Sequence, residues 1–494
     1  MKLKIPPGVY KNGTELQGSG RWIDSNLVRW IENTMQPVGG WRLKSTLHAT
    51  SVTGTVRRMI SWLDDSNNKR VATPWHNTLM VVDIGGNVHD ITPTAYNDAS
   101  PVIHANKAEL LDGFGVSTYG TLEYGLPRPD ATQYAPATTW ALDTWGENLV
   151  ACSTTDGKIY EWGLDNTVVA AQITNAPTDC KSIIVTHERF LVALGAGGNG
   201  RKVQWSDQEN NTLWSPSATN QAGSFDLTTE GIIVSARRVK GQLLILTDID
   251  AHTATYQGPP YIYGFEKVGD HCGLVSANAV ASVNDFAVWM GHQGFYIYDG
   301  YTKPLPSEVE DFIYGDINRN QISQVSAAVN SQYNEVWWFY PSEGSIECDA
   351  YVTWNYVENH WAIGKLDRSS GVDAGIFRYP MMVSPDGVLY EHDIGFDHDS
   401  TTPYAETGPM TMGDGVMSAS KLISDEATLG DVQVKFKTRM YPTDADTEHG
   451  PYTMATPTSV RFTGRQIKMR IEGVRDADWR VGIMDLDVRA RGRR

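Results

Sequence analysis

Short segments of alternating apolar and polar residues dominate the chain, and they come in pairs. Asp285–Gly300 reads DFAVWMGHQGFYIYDG, two apolar and aromatic runs around a polar break at His292-Gln293-Gly294. NLVACSTTDGKIYEW at Asn148–Trp162 and YPMMVSPDGVLYEHD at Tyr379–Asp393 have the same form. Such runs are rich in Val, Ile, Thr, Tyr, Phe and Trp and end at Gly, Asp, Asn or Pro, which is the mark of strands joined by tight turns. Helical periodicity is scarce; the best short candidates are Ala105–Leu111 and Pro306–Tyr314. The pattern predicts an all-β protein.

The turns recur. Asp156-Gly157 and Asp386-Gly387 fit the right-handed twist of paired strands. Gly85-Gly86, Gly197-Gly198, Asp250, Gly294 and Gly344 read as weaker equivalents. From Gly157 through Gly198, Asp250, Gly294 and Gly344 to Gly387 the steps are 41, 52, 44, 50 and 43 residues. The step from Gly86 to Gly157 is 71, which leaves room for an insertion around residues 93–137. Several strands per unit of roughly 40–50 residues are what propeller blades show. Each unit carries a hydrophobic strand, a turn and an aromatic-ended strand: LVAC/KIYEW, FLVAL/KVQW, LLIL/TATYQ, FAVWM/FYIYD, EVWWFY/AYVTWNY and MMV/VLYEHD. The expectation is an irregular β-propeller of six or seven blades over residues 51–401. The competing reading is a string of hairpins in two sandwiches.

Two flanks fall outside the period. Residues 1–50 are rich in Gly and Pro and read as an N-terminal arm and docking segment. From residue 402 to 494, QVKFKTRMY, SVRFTG, RQIKMRIEGV and WRVGIMDLDVRAR read as strands of an antiparallel β-sandwich, a platform domain. Arg461, Arg465, Lys468, Arg470, Arg475 and Arg480 alternate there with apolar residues, predicting one wet and one buried face.

Composition narrows the function. The chain has 494 residues, 41 % hydrophobic, with 16 Trp, enough for a large core. Its net charge of −17 argues against a sequence-independent DNA clamp. The exception is the closing VRARGRR, with Arg489, Arg491, Arg493 and Arg494. Cys152, Cys180, Cys272 and Cys348 are far apart and predict isolated buried thiols. MKLKIPPGVY lacks the apolar run of a secretory leader, and no stretch is long and apolar enough for a membrane span. Synthesis in a reducing cytoplasm is the expectation.

No catalytic or metal constellation emerges. HExxH and GxSxG are absent. GAGGNG at Gly195–Gly200 leads into the strand KVQW, so no helix N-terminus awaits a phosphate. The acidic loops Asp393–Asp399 and Asp444–His449 lack the ligand spacing of a calcium loop. The aromatics alternate with Asp, Glu and Gly instead of Lys and Arg, which favours core packing over base stacking. No catalytic residue, metal ligand or cofactor is expected.

Three segments resemble a known family. PPGVYKNGTELQGSGRWIDSNLVRW with QPVGGWRL, the middle GIIVSARRVKGQLLILTDIDAHTATYQG through DFAVWMGHQGFYIYDG and NEVWWFYPSEGS, and the closing VRFTGRQIKMRIEGVRDADWRVGIMDLDVRARGRR are similar to tail nozzle (tail hub, tail tubular protein B-like) proteins of short-tailed bacteriophages. The resemblance implies a structural virion protein in the tail, a homohexameric ring below the portal and its adaptor proteins. It also implies tail fibres or spikes as neighbours and passage of double-stranded DNA without sequence-specific binding. Interface candidates on this reading are Arg21, Trp22, Arg29, Trp30, Arg465, Arg470, Arg480, Arg489, Arg491, Arg493 and Arg494. An acidic lumen that lets DNA slide is a further expectation. The rival readings are a glycan-binding or glycan-active propeller and an intracellular scaffold propeller.

Overall fold

The computed structural model describes residues 1–47, 54–94, 96, 105–113, 125, 127–424 and 431–491, with backbone alone for 112, 113 and 128–133. Seven four-stranded antiparallel sheets follow one another along the chain. Their first strands are Ile60–Leu63, Trp140–Trp145, Ser182–Val185, Ile233–Val239, Val280–Val283, Ser326–Asn330 and Ser370–Val372. These seven strands line one central channel. The molecule is an irregular seven-bladed β-propeller.

The paired runs of the sequence are the second and third strands of the blades. Phe286–Met290 pairs with Phe295–Tyr298, Asn148–Ser153 with Ile159–Trp162, and Met381–Val383 with Val388–His392. Gly157 and Gly387 hold φ of +63° and +75° in the turns between them, which a side chain would resist. Gly85-Gly86 is different. It joins the third strand Leu79–Asp83 to the fourth strand Val88–Asp90. It therefore marks another turn of the first blade and falls out of the period.

Side chains alternate along each central strand and meet both neighbouring blades. Trp338 packs with Phe295 and Trp361, while Trp337 on the other face packs with Tyr351 and Met382. Both are buried, and the indole of Trp338 donates to the Ala279 carbonyl at 3.0 Å.

The seventh blade is completed by the N-terminal segment. Trp41–Thr46 pairs with Val388–His392 as its outer strand, so the two ends of the propeller are bound by backbone hydrogen bonds. Residues 1–47 are thus woven into the body, and 48–50 of the expected arm lie outside the described residues. Trp22–Asn26 adds to the sandwich sheet built on Tyr404–Thr407, Gln466–Gly473, Val432–Arg439 and Thr447–Thr453. Lys2–Leu3 adds to the facing sheet of Met484–Ala490, Met417–Ile423 and Thr458–Gly464. One continuous core runs from blades five and six through Leu3, Val9, Trp22 and Trp30 into Phe436, Met469 and Leu486 of the sandwich.

Pro306–Tyr314 overlaps the one α-helix among the described residues, Glu310–Asp316. Ala105–Leu111 is not helical: Glu109–Gly113 is a strand paired with Arg128–Ala135. Strand pairing with a distant partner overrides local helix preference there. This hairpin lies between the first and second blades; much of the expected insertion 93–137 lies outside the described residues.

Candidate functional site

The sequence-derived interface candidates separate into buried and exposed sets. Trp22, Trp30 and Arg29 are buried inside the chain and are corrected from surface contacts to internal ones. Trp22 and Trp30 pack together at 6.1 Å in the core shared by both parts of the molecule. Arg29 lies between Asp393, 2.8 Å from its Nη1, and Glu335, 3.0 Å from its Nε. The three side chains are 3, 3 and 6 % exposed, so these charges answer each other out of water. Tyr333 lies 3.6 Å from the guanidinium. The Gly39 amide and Asn330 also donate to Asp393, at Oδ1 and Oδ2, and the Trp337 indole donates to Glu335 Oε2. Burial opposes the Arg29 charge, but Asp393 and Glu335 outweigh it and hold its pKa above the ordinary value. Burial pushes the Glu335 carboxyl up despite Arg29.

The alternating basic residues of the sandwich are largely matched by acids of the same chain. Lys435 and Arg470 pair with Glu472, and Lys437 pairs with Glu406. Arg439 and Lys468 both pair with Glu15 of the N-terminal segment, and Lys468 also with Asp446. Arg470 stacks over Tyr404 at 3.5 Å. Arg470 is therefore engaged within its own sheet, and Arg21 is engaged with Glu308 of the propeller. Arg480 is exposed and 3.8 Å from Asp478. Arg489 and Arg491 are exposed and Arg465 is half-buried; no ion pair joins these three among the described residues. Arg493 and Arg494 lie outside the described residues.

The propeller axis carries a second charged group that the sequence reading missed. The channel encloses about 630 Å3 and is lined by Arg58, Arg237, Arg238, Asp143 and Asp373 among apolar residues such as Ile183 and Val280. Asp143 receives Arg238 at 2.8 and 3.1 Å and the amides of Val185 and Thr144 at 2.8 and 2.9 Å. Among the described residues Arg237 donates only to neutral acceptors, Ser235 Oγ and the carbonyls of Ala236 and Ala277. Arg58 makes no hydrogen bond or ion pair among the described residues. Burial pushes both guanidinium pKa values down; Asp143 opposes this weakly, and Arg58 deepens it for Arg237. The available signal was Arg237-Arg238 itself, adjacent charges inside the otherwise apolar blade strand IIVSARRV.

The four thiols are free and buried. Burial pushes Cys180 and Cys272 up to about 12, so they stay protonated and inert at neutral pH. No cluster of three His, Cys, Asp or Glu suited to a metal occurs among the described residues, and no helix there is long and apolar enough to cross a membrane.

No protein-family model matches the chain, and no curated protein matches it in sequence. Solved structures with a similar fold include virginiamycin B lyase from Staphylococcus aureus, at TM-score 0.43 and 8 % identity over 71 % of this chain and 99 % of that one. The β-propeller domain of Myceliophteria thermophila Cps50 (Swd1) gives 0.40 and 9 % over 72 % and 99 %. The WD40 β-propeller domain of Doa1 gives 0.39 and 10 % over 72 % and 97 %. A lyase and a WD40 domain both occur in this set, and a shared fold decides nothing about catalysis. The class of the protein rests on its strand order: a seven-bladed propeller carrying a β-sandwich.

Proposed function

We propose that the chain is a structural protein of a bacteriophage short tail, a nozzle or hub subunit whose ring retains the genome and conducts double-stranded DNA during ejection. The observation that carries this reading is the cross-tied body. A single N-terminal segment completes two sheets of the sandwich and the last blade of the propeller. The two parts then share one core, and relative motion would break backbone ladders and buried packing together. Such stiffness suits a building block under load. The three-segment resemblance to tail nozzle proteins supports the same reading.

On this proposal the assembly is a homohexamer with heterologous contacts, one face of a subunit meeting a different face of the next. Arg465, Arg480, Arg489 and Arg491 are the basic side of that contact, facing the acidic remainder of a neighbour. Adaptor proteins and fibres or spikes bind elsewhere on the ring. The DNA conduit belongs to the ring, since a propeller channel of about 630 Å3 has the size of a small-molecule pocket. The chain is not an enzyme on this reading.

Immunogold electron microscopy of native particles, with antibody to this chain, tests the proposal. Label at a single tail vertex is expected. Particles without label, and the chain free in the soluble fraction, would overturn it.

A further inference from the structure

The propeller axis holds more positive charge than its own carboxylates can answer. An ionised carboxylate offers about four lone-pair positions. Asp143 fills four with two bonds from Arg238 and one each from the Val185 and Thr144 amides. Asp143 has nothing left to accept from Arg58 or Arg237, and Arg237 meets only neutral acceptors among the described residues. Asp373 follows the strand Ser370–Val372, whereas Arg58 precedes the strand Ile60–Leu63. Inner strands of a propeller run the same way along the axis, so the two residues stand at opposite ends. Asp373 is moreover bound to the Ser331 and Ala374 amides.

Two cations near one another in a half-enclosed space are costly unless an anion joins them. Arg58 and Arg237 also border a smaller recess with Lys181, Thr154, Ser182, Ser235 and Asn278. Thr154 already donates to the Thr139 carbonyl and Asn278 to the Arg57 carbonyl, which leaves the Ser182 and Ser235 hydroxyls and the Lys181 ammonium on its wall. The remaining walls of the channel include Met59, Leu142, Ile184 and Val280, an apolar lining wide enough for an organic group. Guanidinium groups recognise oxyanions by paired N–H donors, and they hold their charge when buried better than an ammonium does.

We propose that the propeller axis is a binding site for a small molecule bearing a phosphate-type oxyanion, held by Arg58 and Arg237. Arg238 does not take part directly; its pairing with Asp143 fixes the strand Ile233–Val239 from which Arg237 projects. The site does not depend on the virion reading and stands or falls separately from it.

Titration calorimetry on the full chain, with inorganic phosphate and separately glucose 6-phosphate, tests the site. Chloride at matched ionic strength is the reference. Saturable one-to-one binding is expected for at least one probe. Phosphate as the better ligand assigns the site to the free anion; the ester as the better ligand assigns the apolar walls to its organic part. Arg58→Gln should weaken binding at least tenfold, and because Arg58 has no hydrogen-bond or ion-pair partner among the described residues this variant should melt like the parent. Arg58→Gln with Arg237→Gln should abolish it. No saturable heat for either probe, or undiminished affinity in a folded Arg58→Gln, would overturn the proposal.

Discussion

The molecule treats the arginines of two regions in opposite ways. At the junction of propeller and sandwich, Arg29 meets two carboxylates and an aromatic face, and nearly every oxygen around it has a donor. At the propeller axis, the half-buried Arg58 and Arg237 share a cavity with Asp143, whose lone pairs are already taken, and with Asp373, which is bound to backbone amides. A saturated network fixes structure, because each member is worth more in place than anywhere else. An unsaturated one stores affinity for something outside the chain. The same residue type thus reads as scaffold in one region and as receptor in the other, and the difference lies in its acceptors.

The largest expected effect comes from removing what ties the two regions together. Deleting residues 1–46 takes Lys2–Leu3, Trp22–Asn26 and Trp41–Thr46 from three different sheets. Leu3, Val9, Trp22 and Trp30 leave the shared core with them. The deletion should yield no cooperatively melting protein by circular dichroism. A sharp melt from such a chain would show that each half closes without the segment.

Arg29→Met comes next. It leaves Glu335 and Asp393 buried and facing each other without a cation, and removing one partner of a buried network costs about 3–5 kcal/mol. Trp338→Ala should cost a similar amount, about 3–5 kcal/mol, since its ring is fully enclosed. Denaturant melts measure both. An Arg29→Met variant as stable as the parent would break the contrast drawn between the two regions.

How these sites look from the sequence alone follows from the range of the signals. The blade hairpins were legible because alternation and an Asp-Gly turn are local. Trp41–Thr46 was not legible as a blade strand, because its partner Val388–His392 is more than three hundred residues away. Trp22, Arg29 and Trp30 looked like docking residues for the same reason: a basic, aromatic segment declares no partner, and Asp393 lies 364 residues from Arg29. The basic stripe of the sandwich was visible as strands, but not the acids that answer it, one of which is Glu15 in the N-terminal segment. Arg237-Arg238 stands in the sequence as adjacent charges, but a charged pair in a strand does not declare whether it faces solvent or a propeller axis.

Acid should loosen the seventh blade beside the junction. His392 is buried and accepts a hydrogen bond from Arg368 Nε at 2.9 Å, so its proton would bring two cations into contact. Burial first, then Arg368, His398 and Arg29, hold its pKa well below the ordinary value. Burial also lowers His398 and His360. The unfolded chain takes up these protons near pH 6.5 while the folded chain refuses them, so stability is full above that pH and is lost as pH falls below it. A group held well below its ordinary range, as His392 is, contributes up to about 1.4 kcal/mol per pH unit between 6.5 and its own lowered pKa. His392→Gln keeps an acceptor for Arg368 and should flatten the slope between pH 6.5 and 5 by about that amount. An unchanged slope in urea melts across that range would show that His392 titrates normally.

Arg58→Met has the smallest expected effect on stability and sharpens the comparison most. In phosphate-free buffer the substitution removes a cation that has no hydrogen-bond or ion-pair partner among the described residues, and Asp143 keeps Arg238. The half-buried pair Arg58/Arg237 loses its mutual repulsion, which now lowers the Arg237 pKa. The midpoint of a urea melt should stay level or rise, by up to about 1 kcal/mol in stability. Its sign is opposite to that of Arg29→Met, although both exchange one arginine for the same side chain. A loss comparable to that of Arg29→Met would mean that Arg58 has an acceptor within the fold, and the axis would then be a second scaffold network.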